Sequence, residues 1–197
     1  MTKNQSWLAV IWLFVWGTAV SSQRVREWWV VFFTGALLLA LTWMVRRLPV
    51  ADQLSLKPVG GKILLLACSA GGALFLLFYA YLHSKSLSVE GHVNASLIVW
   101  SVLIAPVTEE LVFRGVIYSC LQSCAARLRC GRILELIGVL LIAIIFGVLH
   151  HRSSVFLAMT IAAGVLYGLL RWRFHSVQPS IACHVSYNAL ALLLLAR

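Results

Sequence analysis

The sequence predicts an all-α fold: a polytopic transmembrane helical bundle of about seven spans around a polar cavity. Three observations lead there. Hydrophobic residues make up 61% of the 197 and charged residues only 11%, whereas a soluble domain carries about 25% charged residues. The apolar residues come in long unbroken runs rather than in alternation, which favours helices over a barrel. A few ionisable side chains are set inside those runs, where they are costly unless they have a purpose.

A span takes ~20 apolar residues. Seven runs qualify as candidates: 7–20, 28–45, 63–82, 95–120, 133–150, 155–170 and 180–196. The first is short. With Lys3 ahead of it and Ala19-Val20-Ser21 behind it, it also reads as a cleaved signal peptide. The next span follows almost at once, which favours a retained helix. The length suits one domain, so residues 1–197 are read as a single integral membrane domain. The polar stretches 46–62 and 83–94 are short loops rather than boundaries.

The net charge is +10, with 16 Lys and Arg against 6 Asp and Glu. No basic helix or aromatic-interleaved patch accompanies that charge, so nucleic-acid binding is not the reading. The basic residues fall mostly between apolar runs, where they set topology. Alternating the spans puts ten of the sixteen, Arg171 and Arg173 among them, on the side of the N-terminus and five on the other. The N-terminus is therefore expected to be cytoplasmic. Trp7, Trp28, Trp29, Trp43 and Trp172 sit near span ends, as interfacial aromatics do. Five cysteines without a CxxC pair suggest neither a disulfide framework nor a zinc ribbon. They read as small packing residues.

The fourth span holds Pro106, Glu109, Glu110 and Arg114. Glu110 and Arg114 are four apart on one face and are expected to form an ion pair. Glu109 is turned about 100° from Glu110, so it can face elsewhere, as a general base must. Pro106 is expected to break or kink the helix. The fifth span ends with Phe146 and His150 four apart; alone, His150 reads as an interfacial histidine. The seventh begins with His184 and Asn188, again one turn apart. Such a pair serves either as glue between helices or as donors to a developing oxyanion. The sixth carries Gly164-x-x-x-Gly168, a close-packing face.

Taken together, Glu109-Glu110-x-x-x-Arg114, Phe146-x-x-x-His150 and His184-x-x-x-Asn188 resemble, in order, the three motifs of the CAAX-protease and bacteriocin-processing (Abi) family of intramembrane proteases. The resemblance covers residues 95–197, which it implies are the catalytic core, with residues 1–94 as three additional spans. It implies a glutamic-type intramembrane endopeptidase with no cofactor. In that reading Glu109, assisted by His150, activates a water; His184 and Asn188 stabilise the oxyanion; Glu110, Arg114 and Phe146 support the site. The implied substrate is a membrane-associated protein or peptide: a lipidated protein, a bacteriocin-type peptide or a C-terminal sorting signal. The expected location is the bilayer of a prokaryotic cytoplasmic membrane.

One difficulty stands against that site. The predicted boundaries put His150 and His184 at opposite ends of their spans, too far apart for both to reach Glu109. Two rival functions also stand. His150, His184 and Glu109 together are a known kind of catalytic zinc set, although no His-Glu-x-x-His occurs. Alternatively, the polar cluster serves partner binding in a non-enzymatic immunity or scaffold protein, or a proton relay in a transporter.

Overall fold

The computed structural model describes residues 55–87, 95–126, 131–150 and 153–195. Among these residues there is no strand. The first helix, α1, is Gly61–Ser84. The second, α2, runs over 95–125 and alternates windings: Ala95–Val99 is α, Trp100–Ile104 π, Ala105–Glu110 α, Leu111–Ile117 π, and Tyr118–Ala125 α. Then follow α3 (Gly131–Leu149), α4 (Ser154–Phe174) and α5 (Gln178–Leu195).

By length and composition, four helices can cross a membrane: Gly61–Ser84, Ala95–Ile117, Gly131–Leu149 and Ser154–Phe174. They coincide with the third to sixth expected spans. The expected seventh is helix α5, but Gln178, His184 and Asn188 keep it less apolar than the four. The expected spans 7–20 and 28–45, with the signal-peptide alternative, lie outside the described residues. Among the described residues, four of the expected spans are therefore long and apolar enough to cross a membrane.

The surface is inverted relative to a soluble protein. Leu65 and Leu77 on α1, Ile133 and Leu140 on α3 and Leu193 on α5 are exposed, which lipid tolerates and water does not. Small residues are buried instead. Lipid supplies no hydrophobic drive between helices, so they associate by close van der Waals contact. A Cβ on Gly164 would sit 3.1 Å from Ala143 Cα, and one on Gly168 would sit 2.7 Å from Val139 Cγ1. The stripe read from the sequence is therefore the seam between α3 and α4. A similar seam joins α1 to α5. A Cβ on Gly71 would collide with the carbonyl of Cys183, lying 2.9 Å from its carbon. Ser186 Oγ donates to Cys68 O at 2.9 Å across that seam.

The chain ahead of α1 folds over the turn between α4 and α5. Val177 N–H donates to Ser55 O at 2.9 Å, and Ser176 Oγ donates to Lys57 O at 2.7 Å. The turn itself is made by His175, which leaves α4 in the left-handed region with φ 50°.

Two expectations are corrected here. Pro106 does not break α2; it lies at the start of an α segment, and the strain of its missing N–H is taken up by the π winding before it. Arg171, counted in the sequence among the charges flanking the spans, is fully buried.

Candidate active site

Local winding decides where α2 points its carboxylates. Glu109 and Glu110 close a short α segment held between two π segments. A π turn inserts one residue and leaves one carbonyl unmatched where regular winding resumes. In the first, Ala105 N–H bonds Trp100 O, five residues back. The next donor in that register would be residue 106, a proline without N–H, so Ser101 O is passed over. Asn188 Nδ2 supplies the missing donor at 2.8 Å. In the second, Tyr118 N–H bonds Phe113 O, again five back. The return to α spacing at Tyr118 passes over Arg114 O, which accepts from Arg171 Nε at 3.1 Å. Ser101 and Thr108 satisfy their hydroxyls within the helix, on Leu97 O at 2.6 Å and Ile104 O at 2.8 Å.

With that register, the two glutamates diverge as the 100° step requires. Glu110 is fully buried and its Oε1 takes Arg114 Nη1 at 3.0 Å. Arg114 also donates Nη2 to Gly164 O at 2.9 Å, an oxygen that a Cβ-free seam leaves within reach. Its guanidinium lies 4.8 Å from the Phe146 ring centroid and 5.4 Å from that of Tyr167. Glu109 faces the other way. Its Oε1 lies 3.5 Å from His150 Nε2 and its Oε2 lies 3.8 Å from His184 Nε2.

The second nitrogen of each histidine is committed. His150 Nδ1 lies 2.8 Å from Phe146 O, an acceptor, so Nδ1 carries a proton there. His184 Nδ1 lies 3.0 Å from Glu110 Oε1, the oxygen that also accepts from Arg114. Each imidazole therefore turns Nε2 toward Glu109. Tyr167 stacks on His184, centroids 4.6 Å apart and planes 20° apart, and Phe146 meets the same ring edge-on at 5.9 Å. These contacts fix the ring orientations.

The expected mismatch in depth between His150 and His184 does not arise. Neighbour contacts set the levels: Ala143 against Gly164, and Tyr167 against Ser180 and His184. His150 follows the last residue of α3, but its ring folds back one turn onto the Phe146 carbonyl. The ring is thereby turned back along the helix, and its Nε2 meets Glu109 together with that of His184.

Glu109, His150 and His184 thus converge, while Glu110, Arg114 and Phe146 form the wall behind them. His150, 36% exposed, is the open side; Glu109 is 19% exposed. Asn188, one turn beyond His184, has one Nδ2 proton on Ser101 O. Among the described residues no group of three His, Cys, Asp or Glu side chains is placed to hold a metal ion. Tyr167, the Gly164 and Ser101 carbonyls and Arg171 were not singled out for the site from the sequence.

A family model, Rce1-like (type II CAAX prenyl endopeptidase), matches residues 91–190, just over half of the chain. The chain belongs to the Rce1-like family. It is accordingly an integral membrane protein of the CAAX-protease type, in accord with the resemblance carried by the three motifs. No curated protein and no solved structure matched it. The Rce1-like match takes in α2, α3, α4 and the part of α5 that carries His184 and Asn188. It leaves out α1, although α1 packs along the back of α5.

Proposed function

We propose that this Rce1-like chain hydrolyses a peptide bond near the C-terminus of a membrane-associated substrate, with a water activated by Glu109. The observation that carries this reading is the convergence of both Nε2 atoms on the partly exposed Glu109 carboxylate. Water held between Glu109 and His150 gives its proton to that pair as its oxygen attacks the scissile carbonyl. The carbonyl electrons move to oxygen, forming the tetrahedral oxyanion. His184 is the donor to it. Because Nδ1 is engaged by Glu110, it is Nε2 that presents a proton to the oxyanion. Behind it, Glu110 Oε1 meets both His184 Nδ1 and Arg114 Nη1. The second Nδ2 proton of Asn188, on the same face of α5, is the other donor. Collapse of the intermediate breaks the C–N bond, and the proton taken from water goes to the leaving amine. No covalent nucleophile is needed.

The family description favours a prenylated CAAX-type substrate; bacteriocin-type peptides and C-terminal sorting signals are the other substrate classes. The charge distribution supports a cytoplasmic N-terminus, and the membrane is read as a prokaryotic cytoplasmic one. The catalytic core is residues 95–197, with 1–94 as additional spans.

Zinc is the second reading. It is favoured by one observation: each Nδ1 is backed by an acceptor, as in metal-bound histidines. The test is mass-spectrometric mapping of new termini after the detergent-purified protein is mixed with membrane proteins, with and without a strong zinc chelator. Cleavage that persists in chelator supports the water–glutamate route. Cleavage abolished by chelator and restored by zinc overturns it in favour of the metal. No new termini, with prenylated proteins present in the extract, would favour a binding role.

A further inference from the structure

Arg171 is a fully buried guanidinium with no carboxylate bonded to it among the described residues. Its donors go elsewhere: Nε to Arg114 O at 3.1 Å, and Nη2 to Ser55 Oγ at 2.6 Å and Ser119 Oγ at 3.3 Å. Its Cζ lies 5.1 Å from the Tyr118 ring centroid. A charge buried this way is costly, and a neutral residue of similar length would pack in its place without that cost. Its retention needs a reason beyond packing.

The reason lies in what it bonds. Arg114 O is the carbonyl passed over where the second π turn gives way to α winding. Without a donor, the extra residue of that turn is free to migrate along the helix or to be lost to α spacing, since a buried carbonyl without a partner is disfavoured. Arg114 is in this way gripped by α4 at both ends: its side chain by Gly164 O and its carbonyl by Arg171 Nε. The link continues from Arg114 Nη1 to Glu110 Oε1, from there to His184 Nδ1, and so to the face of His184 that meets Glu109.

We infer that Arg171 is a positioning residue for the reaction, acting by pinning the π turn over 111–117 and thereby the Arg114–Glu110–His184 chain. The inference rests on the peptidase reading. It differs from a merely structural role in being local: Arg171 sets the register of one turn rather than holding the bundle together.

The test compares wild type with Arg171→Met and Arg171→Lys in detergent, using a farnesylated fluorogenic peptide ending in a CAAX box and amide hydrogen exchange read by mass spectrometry. For Arg171→Met, kcat falls about 10- to 100-fold with KM within about two-fold, the signature of misplaced groups rather than lost binding. Exchange quickens in peptides covering 111–119 and is unchanged in α5. Lysine keeps the charge and one donor but lacks the fork, so Arg171→Lys recovers part of kcat and of the protection. It also carries the test if the methionine variant does not fold. Unchanged exchange in 111–119, unchanged kcat, or a loss of protection spread over all helices would each overturn the inference and leave the peptidase reading standing. A wild type that cleaves nothing overturns the peptidase reading itself, and with it the catalytic half of the inference. The exchange comparison still decides whether Arg171 pins the turn.

Discussion

Adjacent glycines on α1 give the sharpest test of how the helix bearing His184 is held. Gly71 and Gly72 differ in what a methyl group would meet. At Gly71 the new Cβ would run into the backbone of Cys183, 2.9 Å from its carbonyl carbon, and would crowd Ser186 Oγ, whose bond to Cys68 O ties the seam. Backbone cannot swing aside, so α1 must withdraw by roughly 1 Å to restore ordinary contact, and overpacking of this kind costs about 1–3 kcal/mol. At Gly72 the Cβ would meet only Leu190 Cδ1 at 3.2 Å, the tip of a side chain that can rotate. There the cost is offset by the helix preference for alanine, ~1 kcal/mol better than glycine. Gly71→Ala should therefore unfold at a clearly lower temperature than wild type in detergent, and Gly72→Ala at the same temperature or higher. Cys183 adjoins His184, so a shift of about 1 Å there should also lower cleavage by up to ~100-fold. If Gly71→Ala is as stable and active as Gly72→Ala, the close approach of α1 and α5 is not as described.

Three further outcomes follow from the same contacts. Arg114→Met leaves the buried Glu110 carboxyl without its cation, and breaking such a pair costs about 3–5 kcal/mol; thermal unfolding in detergent checks this, and a loss below about 1 kcal/mol would contradict the burial of the pair. Tyr118→Phe removes a buried hydroxyl that has no hydrogen-bond partner among the described residues, so stability stays level or rises by up to about 1 kcal/mol in the same assay. Asn188→Ala strips the donor from Ser101 O and one oxyanion donor together. It should lower kcat by about 100-fold or more, with quicker amide exchange confined to the first π turn.

Much of the site was legible because motif spacing and helix geometry point the same way. Glu110 with Arg114, and His184 with Asn188, are one turn apart wherever an α-helix is drawn through them. The divergence of Glu109 from Glu110 needs only the 100° step. The apolar runs gave the helices for the same reason: lipid offers no alternative to internal hydrogen bonding. What was not legible depends on contacts between distant residues. The π turns are such a case. Pro106 signalled a disturbance, but winding depends on whether a partner helix can cap the passed-over carbonyl, and that partner is Asn188 for one turn and Arg171 for the other. Arg171 itself looked like a flanking charge because it stands between Leu170 and Trp172 near a span end. Nothing in the local sequence shows that two serines and a carbonyl await it inside. The depth of His150 was misjudged for a related reason, since a ring folded back along its helix shifts the functional atoms by a turn.

The claim on which the account turns is that Glu109 activates the water. The direct measurement is the rate of cleavage of a farnesylated CAAX-box peptide by wild type and by Glu109→Gln, both first shown to be equally folded by thermal unfolding in detergent. The account predicts that the glutamine variant, which keeps the shape and loses the base, falls in kcat by about 100-fold or more while still binding the peptide. Cleavage by Glu109→Gln at the wild-type rate would contradict it.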